Sequence, residues 1–148
     1  MENSGTPIII GSDHAAFPMK ETVKKFLSDA GIEVTDAGTS GLESVDYSDF
    51  GIKVAGAVSS GEFERGILIC GTGLGMSMVA NRFKHVRAAL CGDIFSARMS
   101  RLHNNANILV MGGRVTGEAL AIEIVKTWLE TGFEGGRHQA RLDKFDMI

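Results

Sequence analysis

Cys70–Ser77, reading CGTGLGMS, gathers a thiol, two hydroxyls and three closely spaced glycines in one short segment. Gly71, Gly73 and Gly75 let the backbone turn sharply and aim successive N–H groups at a single ligand. A helix starting directly afterwards would add its positive end, which favours an anion. A cysteine beside such a helix start is in the setting that favours thiolate over thiol. Together these residues could move a proton and hold the negative charge that results. The plainer readings are a tight strand-to-helix turn with no ligand and a small core thiol closing an apolar strand. Cys91 closes a similar run but is followed only by Gly92-Asp93, so it reads as core. Nucleotide signatures fail: position 76 breaks G-x-G-x-x-G, and no G-x-x-x-x-G-K-[ST] occurs.

Other candidate groups are spread along the chain. Asp13-His14 offers an acid/base pair near neutrality, or simply a capping carboxylate and a surface imidazole. Asp46-Tyr47 opens a helical segment; Asp46 suits its N-cap, and the hydroxyl of Tyr47 suits a sugar. His103-Asn104-Asn105 precedes an apolar run, and Arg114 follows one after Gly112-Gly113. Arg137 and Arg141 lie four apart, on one helical face, where two guanidinium groups could grip one phosphate or simply form a solvated basic tail.

The elements that must position these groups alternate regularly. Pro7–Gly11, Glu33–Ala37, Gly66–Cys70, Arg87–Cys91 and Asn107–Met111 read as strands, all but the second nearly unbroken in hydrophobicity, as for strands covered on both faces. Met19–Ala30, Tyr47–Ser60, Met76–Arg82, Ile94–Leu102, Gly117–Thr131 and Arg137–Met147 read as helices. This alternation predicts one doubly wound α/β domain, 1–148, with a parallel sheet in the order 2-1-3-4-5 and residues 1–6 as a disordered tail. Ligands bind such sheets beyond the strands' carboxyl ends, where the winding reverses. That point lies between the first and third strands, where the Asp13-His14 and Cys70–Ser77 loops meet.

The chain of 148 residues is 44% hydrophobic and 22% charged, which fits one packed globule. A net charge of −3 gives no electrostatic case for nucleic acid. Two cysteines make no disulfide framework, no apolar run is long enough for a membrane span, and MENSGTP has no signal-peptide pattern, so a cytoplasmic location is expected. His103 precedes its strand whereas Cys70 follows its own, so parallel strands put them at opposite ends, roughly 16 Å apart. Either His103 is a capping residue or it completes a site on a second copy, as a two-fold dimer allows.

The motifs SDHAAF, ESVDYSDF, GILICGTGLGMS, SRLHNNANILVMGGRVTG and EGGRHQAR resemble, in order and spacing, the ribose-5-phosphate isomerase B family, within the group that includes galactose-6-phosphate isomerase subunits. The resemblance spans about residues 7–142 and implies a Rossmann-like three-layer α/β/α sandwich, no metal or cofactor, and homodimers or dimers of dimers with shared sites. It implies that Cys70 moves the proton between C1 and C2 through a cis-enediolate held by Thr72 and the amides of Gly71, Gly73 and Gly75. His103 with Asp13 would open the furanose ring, Asn104 would hold the opened sugar and Tyr47 would contact its hydroxyls. His14, Arg114, Arg137 and Arg141 would take the phosphate. Cys70 and Met76 suit the cysteine branch, since other members pair a serine and a glutamate at these positions. Ala16, Ser48 and Asn105 depart from the common glycine, proline and aspartate.

Three other readings compete. A hexose 6-phosphate (allose or galactose 6-phosphate) would need only a longer pocket. A receiver-like phosphate-binding module would want an aspartate at position 70. A nicotinamide dehydrogenase would want glycines where Ser12-Asp13-His14 stands.

Overall fold

The computed structural model describes residues 5–148. Most of the expected tail, residues 1–4, lies outside the described residues. The elements are β1 (Ile8–Ser12), α1 (Phe17–Asp29), β2 (Val34–Gly38), α2 (Tyr47–Ser59), β3 (Arg65–Cys70), α3 (Leu74–Ala80), β4 (Ala88–Leu90), α4 (Ile94–Leu102), β5 (Ile108–Gly112), α5 (Glu118–Glu130) and α6 (Arg137–Asp146). β1, β3 and β5 are buried throughout, as their continuous apolar runs require of strands covered on both faces. On one face α1, α4 and α5 pack Val23, Leu27, Ala97, Ile124 and Trp128 against Ile8, Ile67 and Leu109. On the other, α2 and α3 pack Val54, Val58, Met76 and Ala80 against Ile9, Leu68 and Val110. Pro18 falls in the first turn of α1, where its missing N–H costs nothing, so the helix starts two residues before the expected Met19.

The sheet is parallel, but its order is β2-β1-β3-β5-β4, not the expected 2-1-3-4-5. The last two strands exchange places for a packing reason. β5 offers ILVMG, wholly buried, whereas β4 is three residues long, carries two alanines and is only partly covered. The longer apolar strand gains more by leaving water on both faces, and the short one takes the edge. The exchange matters for the site, because it sets β5 beside β3. Gly112 then pairs with Cys70, the Gly113 amide donates to the Cys70 carbonyl at 2.8 Å, and that of Arg114 donates to Gly71 at 2.9 Å.

Buried charge is handled by pairing. Lys20, fully buried on α1, meets Asp36 of β2 at 2.5 Å, and Lys24 meets the same carboxylate at 2.8 Å. Two guanidinium groups approach the ring of Trp128, Arg65 at 5.3 Å and Arg101 at 5.9 Å from its centroid. Burial, then the charge of Arg101, lowers the pKa of Arg65 to about 10.

Candidate active site

Cys70 ends β3 with 5% of its surface exposed, packed among Val54, Leu68 and Met76. The core-thiol reading is therefore half right. Its sulfur, however, meets the glycine loop: the Gly73 amide donates to Sγ at 3.2 Å. Gly73 makes this possible with φ +83, a left-handed conformation at the helix N-cap, and a Cβ there would sit 2.4 Å from Leu90. Thr72, exposed at the turn, accepts the Leu74 amide at 3.2 Å through Oγ1, and its O–H can still donate. Met76 is wholly buried, with its sulfur against Gly51, and adds no ionisable group to the loop.

Two side chains lean on this loop. The Tyr47 ring crosses Gly75 so closely that a Cβ there would lie 2.5 Å from two ring carbons and 3.0 Å from the hydroxyl. The Arg114 guanidinium flanks Gly71, with Nη1 3.7 Å from the corresponding Cβ position. The end of β1 completes this rim, since Ser12 is in register with Ile69 and the Asp13 amide reaches the Ile69 carbonyl at 3.3 Å. Asp13 is 8% exposed and caps the following turn, accepting the Ala16 amide at 3.1 Å through Oδ1. His14 accepts the Val45 amide at Nδ1, 3.1 Å, so its neutral ring carries the proton on Nε2, ready to donate. Asp46 holds the N-cap position of α2, yet its side chain makes no cap bond.

The remaining candidates gather elsewhere. His103 is the C-cap of α4, ahead of β5, and its ring stacks on His138 of α6 with centroids 4.2 Å apart and planes at 14°. The Glu134 amide donates to Leu102 at 3.0 Å, fastening the start of the C-terminal segment to the same place. Along α6, His138 and Leu142 are buried while Arg137 and Arg141 are exposed. Asn104, also exposed, borders a hollow with Asn81, Arg87 and Phe145. One group of candidates (Asp13, His14, Tyr47, Cys70–Gly75, Arg114) thus lies at the carboxyl end of the sheet. A second group (His103, Asn104, Arg137, Arg141) lies at the amino end, as the parallel strands require.

Sequence reasoning passed over His138. Its signal is the spacing to Leu142, four residues on, which marks the inner face of α6. His103, Glu134 and His138 present ligand atoms within 4.8 Å of one another. A metal ion must lie in the plane of each ligating imidazole, about 2.0 Å from its nitrogen. Two nearly parallel planes this far apart cannot both contain such an ion, so the stacked arrangement does not fit one.

A cavity of about 730 Å³ opens at the amino end, lined in part by Arg65, His85, Arg87, Arg101, Asn105 and Asn107. Its cations serve the fold. Arg101 donates to Thr131, Ala106 and Asn105, Arg87 bonds Asn105 and Asp146, and Arg65 packs on Trp128. Asn105 has φ +46, a conformation asparagine tolerates better than most residues. Burial pushes the Cys91 thiol up to about 11, which agrees with its core reading.

A family model described as ribose/galactose isomerase matches residues 8–145. Ribose-5-phosphate isomerase B of Escherichia coli is 45% identical over 141 residues, 95% of this chain and 95% of its own length. The solved structure of ribose-5-phosphate isomerase B from Clostridium thermocellum matches at TM-score 0.94 with 56% identity, covering 96% of each chain. That from Mycoplasma genitalium, with bound ribulose 5-phosphate, matches at 0.92 with 39% identity, covering 95% of this chain and 94% of the other. A match that takes in every strand and helix from β1 into α6 leaves one conclusion: the chain belongs to the ribose/galactose isomerase family.

Proposed function

We propose that this protein interconverts ribose 5-phosphate and ribulose 5-phosphate in the cytoplasm, by proton transfer between C1 and C2 through a cis-enediolate. The observation that carries the reading is the Gly73 amide on the Cys70 sulfur, at the end of the sheet where Tyr47, His14 and Arg114 also gather. Cys70 removes the proton from C2 of the open-chain aldose and returns it to C1. The amides of Gly71 and Gly75 and the Thr72 hydroxyl stabilise the enediolate oxygens, while the Gly73 amide stays with the Cys70 sulfur. Each donor of this kind is worth on the order of 3 kcal/mol. Tyr47 orients the sugar hydroxyls. His14 and Arg114 meet the phosphate, whose grip supplies orientation and remote binding energy.

His103, Asn104, Arg137 and Arg141 come to this centre from a second copy of the chain. The support is their position at the far end of the sheet, beyond reach of Cys70 within one chain. In the completed site His103, with Asp13, opens the furanose ring, Asn104 holds the opened sugar, and the two arginines close on the phosphate. The names of the E. coli and C. thermocellum relatives, and the ketose bound to the M. genitalium protein, favour a pentose phosphate over a hexose.

The direct test is to incubate the purified protein with ribose 5-phosphate and follow ribulose 5-phosphate. Turnover only with allose or galactose 6-phosphate would reassign the substrate, and none with any sugar phosphate would overturn the proposal. Mixing Cys70→Ala and His103→Ala proteins under subunit exchange tests the sharing. Random pairing leaves one intact site in half of the dimers, so about a quarter of wild-type activity should return. No recovery would refute a shared site.

A further inference from the structure

We propose that His138 is the positioning residue for His103, its buried ring serving as the flat platform that fixes the plane of the His103 imidazole. The inference rests on the ring-opening role proposed above for His103. His103 is the C-cap of α4, half-buried, with its amide donating to the Met99 carbonyl at 2.9 Å; that bond fixes the backbone and leaves the ring's rotation to its neighbours. The stack at 4.2 Å and 14° supplies that restraint from another element. The platform is itself held: His138 is 4% exposed, lies one turn from buried Leu142, and donates its amide to Gly135 at 3.1 Å.

The charges around the pair point the same way. Among the described residues His138 Nε2 is buried without a hydrogen-bond partner, and Glu134 at 3.9 Å is too distant to serve as one. Burial lowers the pKa of His138, and so do the nearby His103, Arg137 and Arg141, with Glu134 alone opposing them. His138 is thereby kept neutral. With its pKa lowered, His138 presents an uncharged face to the stack at neutral pH. An imidazole that moves a proton onto or off a ring oxygen must point toward it, and a ring free to rotate spends much of its time off that line.

The test separates ring opening from the isomerisation step. Ribulose 5-phosphate cannot close to a furanose, because its 5-oxygen carries the phosphate. Uptake of solvent deuterium at its C1 therefore reports the Cys70 step alone. In His138→Leu, turnover from ribose 5-phosphate should fall at least tenfold with KM within about threefold, while deuterium uptake stays within about threefold of wild type. His138→Phe keeps a flat ring and should restore most of that turnover, with circular dichroism confirming the fold of both variants. Parallel loss of turnover and deuterium uptake in His138→Leu, or failure of His138→Phe to exceed it, would overturn the platform. Wild-type protein inactive in both assays would instead refute the isomerase reading on which it rests.

Discussion

The Gly73 amide nitrogen lies 3.2 Å from the Cys70 sulfur and donates to it across a turn that its left-handed conformation makes. The thiol is thus aimed back at the loop instead of into the sheet. Removing a general base at such a point costs typically 10²–10⁴ in rate. Cys70→Ala should lose at least about a hundredfold in kcat with unchanged circular dichroism and a similar melting temperature. Wild-type-like turnover would dismiss the cysteine as base.

The two cysteines should also differ in reactivity. Burial, partly offset by a hydrogen bond with Ser100 and reinforced by Asp93, holds the Cys91 thiol up at about 11. At pH 8 almost none of it is thiolate, the form that alkylates. Iodoacetamide on the folded protein should label Cys70 and leave Cys91 untouched, with inactivation tracking the single adduct by mass spectrometry. Equal labelling of both, or full activity after Cys70 is blocked, would contradict the assignment.

Tyr47 and Gly75 form a matched pair. A methyl group at position 75 would enter the ring of Tyr47, at 2.5 Å, and must displace it. Gly75→Ala should therefore weaken substrate binding about as much as Tyr47→Phe or more, and adding Tyr47→Phe to it should cost little extra, as expected for coupled neighbours. Additive losses in a steady-state double-mutant cycle would show that the hydroxyl acts independently.

The Lys20–Asp36 contact predicts a pH-dependent stability. Burial opposes ionisation of Asp36, but hydrogen bonds from Lys20, Lys24 and the Gly38 amide outweigh it and hold the carboxyl below its ordinary pKa. A lowered folded-state value means stabilisation that is present above about pH 4 and is lost as the pH falls further. Asp36→Asn should cost about 2 kcal/mol at pH 7, with the difference from wild type shrinking toward pH 3 in urea melts. A constant difference across that range would show that charge is not the cause.

Much of this could be read before folding, for identifiable reasons. Cys70, Asp13 and Arg114 each follow a continuous apolar run, so their placement at strand ends needed only local pattern. The opposite placement of His103 followed from chain direction. The lateral neighbour of a strand is not locally encoded, which is why β4 and β5 changed places: burial across the whole sheet, not either run alone, decided it. Arg65 and Arg101 look like surface cations until the ring of Trp128, which comes late in the chain, is found beside both. His138 hid between two arginines whose charge drew the functional reading.

Under the shared-site proposal, the division of labour between the two ends of one chain has a genetic corollary. A copy damaged at one end still lends its sound end to a normal partner, and their mixed pair keeps one working centre. A copy damaged at both ends, such as Cys70→Ala with His103→Ala, spoils both centres of any pair it joins. The doubly altered protein, made in excess, would silence the normal gene product, whereas either single alteration would behave as recessive.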